Sequence, residues 1–269
     1  MTKILAAVLA GIMVVFYLLL FAVSRVNLPA GPGATHDQVG ELLGLPVALP
    51  FALGLLSSFG SVLAVILTAS AMGSEYNWRT IRNAVVSSES RTKLLAAKLV
   101  AAGIFILAGM VMGLVAGMIM SLITSAIGGY SFDFGFATGS YLWDQFLQFW
   151  RTYYVLLPYV LFAFMFSVVG RSAMPGIALG IGIFFLEAIV TGLMSLAGGW
   201  IARIPDYLPG ANVRALNALS DLPSGFTMGG GGPATQLPDA VQAALILAAY
   251  DILFLAIAFY FFRKRDVTG

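Results

Sequence analysis

The chain has 269 residues, of which 60% are hydrophobic and 10% charged, with a formal net charge of +2. Soluble domains run about 45–50% apolar and about 25% charged, so this composition excludes a water-soluble globule and specifies an integral membrane protein. Cysteine is absent and His36 is the sole histidine, which excludes disulfides, thiolate metal sites, cysteine nucleophiles and multi-histidine metal sites, and the small net charge argues for no nucleic-acid partner.

Six apolar runs are long enough to cross a hydrocarbon layer of about 30 Å as helices, which takes about 20 residues each. They cover about 4–23, 47–72, 94–127, 152–170, 172–201 and 240–262. Such runs exceed what a barrel strand needs, so the fold class is all-α integral membrane, one transmembrane domain over 1–269 with no soluble domain attached. The first run is longer than the roughly 7–15 residues of a signal-peptide core. It is therefore read as a retained span, although Ala22-Val23-Ser24 would suit cleavage.

Lys and Arg set the direction. With the N-terminus inside, Lys3, Arg79, Arg82, Arg91, Lys93, Lys98, Arg171, Arg263, Lys264 and Arg265 are cytoplasmic, and Arg25, Arg151, Arg203 and Arg214 are outside. Ten against four places both termini in the cytoplasm. Arg25–Pro46 is then an outer loop rich in Gly and Pro, and Gly73–Lys93 a polar cytoplasmic segment. Gly128–Arg151 is an outer loop whose aromatics, among them Tyr130, Phe132, Trp143, Phe146 and Trp150, suit an interfacial belt. Gly170-Arg171-Ser172 closes a tight cytoplasmic hairpin. The longest outer loop, Ala202–Asp239, holds a stretch, Ala211–Leu219, able to form a short interfacial helix.

Several chemistries are missing. None of the four lysines follows a glycine, so there is no GxxxxGK[ST] loop and no P-loop ATPase in this chain. Gly170-Arg171-Ser172-Ala173-Met174 fails as a GxSxG elbow, and HExxH is impossible with one histidine. The chain is read as a non-enzyme that holds no metal and no cofactor of its own.

The cytoplasmic stretch from Ser74 to Lys98 carries the richest pattern. Ser74 can cap a helix with Glu75 in its first turn, and Trp78, Ile81 and Val85 fall at i, i+3 and i+7 with Arg79 and Arg82 beside them. This predicts a short amphipathic helix between the second and third spans, lying on the membrane or docking into a partner's groove. An interfacial linker whose Trp and Arg anchor the neighbouring spans is the alternative. Ser88 or Ser90 can cap the third helix, whose 37 residues from Arg91 to Ile127 would run about 55 Å, so it tilts or projects into the cytoplasm.

Glu75, Arg79-Thr80-Ile81-Arg82, Ser90-Arg91, Leu94-Leu95 and Lys98, with the tail Phe261-Phe262-Arg263-Lys264-Arg265-Asp266-Val267, resemble the type-2 ABC exporter permeases. Their corresponding segments read E-x-x-x-G-T-[LI]-R, S-R-x-x-[LI]-[LI]-x-x-K and a Phe-Arg-Arg-Asp-hydrophobic ending. Two departures stand out. Arg79 occupies the position of the family's glycine, and only Met1, Thr2 and Lys3 precede the first span, where the family has an amphipathic elbow helix.

The resemblance implies a cell-membrane permease subunit working with a second permease, identical or related, and with cytosolic ABC ATPase subunits that hold the ATP and Mg. Glu75, Trp78, Arg79, Thr80, Ile81, Arg82 and Arg91 would then couple to the ATPase.

Two acids lie within spans, Glu187 in the fifth and Asp251 in the sixth. A charge there costs about 2.5–3.5 kcal/mol on insertion scales, so such residues face a bundle interior or water. Both are candidates for a translocation pathway. The other reading is a protonated acid hydrogen-bonded to a neighbouring helix. The pathway is favoured for Glu187 and the structural role for Asp251. Gly109, Gly113 and Gly117 in the third span, and Gly176 and Gly180 in the fifth, recur every four residues and suit close helix contact. An ion-coupled secondary transporter using Glu187 and Asp251, a membrane scaffold or assembly protein, and a membrane enzyme built on an acid pair remain alternatives to the exporter subunit.

Overall fold

The computed structural model describes residues 2–25, 42–77, 90–128, 135, 137–197, 199–220 and 237–264. In chain order these form α1 (Thr2–Arg25), α2 (Leu45–Leu55), a π-helical turn (Leu56–Gly60), α3 (Ser61–Asn77), α4 (Arg91–Gly128), α5 (Gly139–Gly170), α6 (Ala173–Ala197), a 3-10 turn (Ile201–Tyr207), α7 (Pro209–Asn217) and α8 (Ala240–Lys264). No strand occurs among the described residues. Six stretches are long and apolar enough to cross a membrane: Lys3–Arg25, Val47–Ser74, Thr92–Gly128, Gly139–Gly170, Ala173–Met194 and Ala240–Lys264.

Three boundaries depart from the sequence reading. The fourth span begins at Gly139 rather than near 152. Thr138 caps it, its Oγ1 accepting from the Tyr141 N–H at 3.3 Å, and the segment that follows has a helical period. Leu142, Trp143, Phe146, Leu147 and Trp150 form its exposed stripe, while Gln145 and Gln148 are buried. Ser74 does not start a new helix. Its hydroxyl donates back to the Ala71 carbonyl at 3.4 Å, and α3 continues through Glu75 to Asn77. The fifth helix ends at Ala197, and the 3-10 turn follows it.

Other signals are matched in the structure. Ser90 caps α4, accepting from the Lys93 N–H at 3.2 Å. Between α5 and α6, Ser172 N–H donates to the Ser167 carbonyl and Arg171 N–H to that of Val168. With Arg171 at φ 52° this is a Schellman closure, carried by a non-glycine residue in the left-handed region. The stretch read as a short outer-loop helix holds α7.

The chain divides into two compact units. The first comprises Met1–Gly60, Ala108–Tyr154 and Asn217–Gly229, the second Ser61–Leu107, Val155–Leu216 and Gly230–Gly269. In the first, Tyr17 is fully buried, donates to the Ala48 carbonyl at 3.1 Å and meets the Phe51 ring edge-on. A Cβ on Gly117 would come within 2.9 Å of the Ala52 Cβ, and one on Gly113 within 2.7 Å of Leu56 Cδ2, whereas Gly109 faces open space. In the second unit α3, α5 and α6 meet through small residues. A Cβ on Gly176 would strike the Ser167 hydroxyl and lie 2.6 Å from the Ala163 carbonyl, and one on Gly180 would lie 2.6 Å from Val65 Cγ1. A larger core of Met72, Leu95, Phe164, Met165, Phe254 and Phe262 completes that unit.

Candidate functional site

The polar centre of the second unit is built on Glu187, which lies on α6 and is buried. Tyr159, one helix earlier on α5, donates its hydroxyl to Glu187 Oε2 at 3.2 Å. The Tyr159 ring lies against Phe184, with centroids 4.2 Å apart. The same carboxylate accepts the Gly210 backbone N–H, and the Arg214 charge acts on it from the same helix.

The local sequence explains this arrangement. Pro209 opens α7, a position where its missing N–H is no loss and its fixed φ suits a helix. Gly210 follows, and a Cβ there would sit 2.6 Å from Glu187 Oε2, so a larger residue would push the carboxylate away from the backbone. The first N–H groups of a helix have no partner within it and carry its positive dipole end. Glu187 supplies the missing acceptor from across the fold. Asn212, fully buried, fixes the turn before α7 by donating to the carbonyls of Asp206 at 3.0 Å and Leu208 at 2.8 Å. Tyr250 on α8 adds a further tie, donating to the Tyr207 carbonyl at 3.2 Å.

Asp251 is equally buried on α8; its Oδ1 has no hydrogen-bond partner, and neither has Glu187 Oε1, but Glu187 Oε2 is bonded. The hydrogen-bonded acid is therefore Glu187, the one for which the sequence favours a pathway role. Near the start of α8, an open groove of about 520 Å³ is lined by Tyr207, Val241, Leu245, Ile246 and Ala249 together with the polar Asp239 and Gln242. Asp239 is itself the cap of α8, accepting the Val241 N–H at 3.1 Å.

Trp78, Arg79, Thr80, Ile81 and Arg82 lie outside the described residues, as do the side chains of Glu75 and Arg91. The backbone of Glu75 forms part of the last turn of α3, and that of Arg91 begins α4. Gly176 and Gly180 are turned against α3 and α5, and Gly113 and Gly117 against Leu56, Leu9, Ala52 and Tyr17. Among the described residues no group of three or more His, Cys, Asp or Glu could hold a metal ion.

Sequence reasoning missed Tyr159, Gly210, Asn212 and Gln145. The Pro209-Gly210 pair was a usable sign of a helix start, but nothing local to it pointed to an acid some twenty residues earlier.

The six long apolar helices mark a multi-pass membrane protein, and the start of α7 lies against the buried Glu187 of one of them. Residues 44–268 match the family described as "Protein of unknown function (DUF2705)", and the chain belongs to that family. It is similar to the "Uncharacterized protein YhcI" of Bacillus subtilis (strain 168), at 26% identity over 217 residues that cover 76% of this chain and 64% of the relative. The chain thus spans less than two thirds of that relative's length. No solved structure matches it.

Proposed function

We propose that this chain is the permease subunit of an ABC exporter. It would move substrate across the cell membrane with ATP hydrolysed on a separate subunit, as one of a pair of permeases with both termini in the cytoplasm. The observation that carries this reading is the run Glu75, Arg79-Thr80-Ile81-Arg82, Ser90-Arg91 and Lys98. It joins two helices that are each long and apolar enough to span. Residues 78–90 separate α3 from α4 in the chain, and on this reading Trp78 and Ile81 within that stretch are what a cytosolic ATPase would dock against. A chain lacking a P-loop needs such a partner if ATP is to drive it.

Affinity purification of the tagged chain from its native membrane is the test, followed by identification of what comes with it. A P-loop ATPase should be recovered, and Trp78→Ala with Ile81→Ala should release it without unfolding the six helices. Purification of the intact chain without an ATPase would sink the reading.

One observation favours a second reading, an ion-coupled secondary transporter using Glu187 and Asp251: each is buried with one unmet carboxylate oxygen, as a proton- or cation-carrying group would be between events. Transport that follows an ion gradient, survives ATP depletion and fails in Asp251→Asn would establish that reading instead.

A further inference from the structure

The N-terminal end of α5 is amphipathic in an inverted sense. Trp143 (59% exposed) and Phe146 (50%) face outward, while Gln145 (7%), Gln148 (6%) and Thr152 (4%) face inward. The inward residues fall at i, i+3 and i+7, one face of the helix. Burying a carboxamide without partners in an apolar setting is unfavourable, and polar groups inside membrane proteins are normally met by neighbours or water.

The first unit obeys that rule elsewhere. Ser57 accepts from Asn217 at 2.8 Å, Ser121 and Ser125 both donate to the Leu43 carbonyl, and Thr124 donates to that of Met120. Gln145 breaks it twice: neither its Nε2 nor its Oε1 has a partner.

We infer that Gln145, Gln148 and Thr152 form a binding surface for an uncharged solute that both donates and accepts hydrogen bonds, an amide or a hydroxyl compound, admitted when the first unit opens to water. A carboxamide offers one donor group and one acceptor and complements such a solute directly. The charged neighbours do not join the stripe. Asp144 is exposed, and Arg151 donates to the Leu219 carbonyl at 3.1 Å. An ion would therefore find no counter-charge on this face. The inference goes beyond the exporter reading and holds whatever drives the transport.

The chain lacks cysteine, so single-cysteine variants of the full protein in intact cells read water access cleanly. Gln145→Cys, Gln148→Cys and Thr152→Cys, treated with a charged, membrane-impermeant maleimide, should label at least tenfold faster than Val155→Cys, which lies on the same helix and is buried. N-acetylglycinamide and sorbitol, added separately, distinguish an amide from a polyol, and at least one should slow labelling of Gln148→Cys twofold or more.

Gln145→Leu guards against a folding artefact: it should keep the thermal midpoint of the purified protein while abolishing that protection in a Gln148→Cys background. Failure of all three thiols to label, with the protein present in the membrane, overturns the assignment. Protection by neither solute, or by glutamate or choline instead, overturns the uncharged-ligand class. Recovery of an ATPase bears on the exporter reading alone and leaves these outcomes unchanged.

Discussion

On α6, Glu187 has Oε2 on the Tyr159 hydroxyl and the N-terminus of α7 against it, while its Oε1 has no partner. On α8, Asp251 is just as deeply buried, and its Oδ1 meets nothing. In the sequence the two are the same object, one acid in an apolar run. What separates them is where a distant segment folds: α7 returns to Glu187, and no described residue returns to Asp251 Oδ1. An intramembrane acid therefore has no fixed meaning until its partners are known, because hydrogen bonding and a helix dipole can hold it as firmly as any packed side chain.

The strongest way to break this contrast is Glu187→Leu. It leaves the Tyr159 hydroxyl and the Gly210 N–H unmet in a buried site, at about 1–3 kcal/mol each. A loss of about 2–6 kcal/mol is expected, read as a lower unfolding midpoint in detergent. Ala211, buried on α7, should become reactive when replaced by cysteine in that background. An unchanged midpoint together with a protected thiol would show that α7 holds its place without Glu187.

Gly210→Ala attacks the same contact from the other side. The new Cβ would lie 2.6 Å from Oε2, so the helix start or the carboxylate must shift, at about 1–3 kcal/mol. Tyr159→Phe is milder. It removes one donor and leaves the ring against Phe184, for about 1 kcal/mol. If Tyr159→Phe matched Glu187→Leu in size, the hydroxyl rather than the helix start would be the main tie.

The reach of the sequence can be judged on these same residues. The six spans were legible because length and hydropathy are properties of a local window, and Ser90 was legible as a cap because its partner is three residues away. The start of the fourth span was not: Asp144, Gln145, Gln148 and Arg151 interrupt hydropathy, and only the helical period of Trp143, Phe146 and Trp150 betrays the helix. Ser74 was misread because a serine can bond forward as a cap or backward into its own helix, and the choice depends on whether α3 has already ended. The glycines announced close contact, but not with which helix. Glu187 was legible as a special residue, and its partners were not, since Tyr159 and Gly210 reach it only through tertiary folding.

The smallest expected effect belongs to Asp251, and it sharpens the comparison most. If its carboxyl has no structural partner to lose, Asp251→Asn should move the unfolding midpoint by less than about 0.5 kcal/mol equivalent, as substitutions that break no named contact do. Asp251→Leu should leave stability unchanged or raise it, because it removes a buried polar atom without a partner. The same pair of substitutions at Glu187 should behave in the opposite order. Glu187→Gln, whose amide oxygen can still accept from Tyr159 or Gly210, should retain more stability than Glu187→Leu. Measured together, the four variants separate a group that holds the fold from one that is merely buried in it. A destabilised Asp251→Leu would mean that Asp251 has a structural partner after all, and the two acids would then be alike in the fold as they are in the sequence.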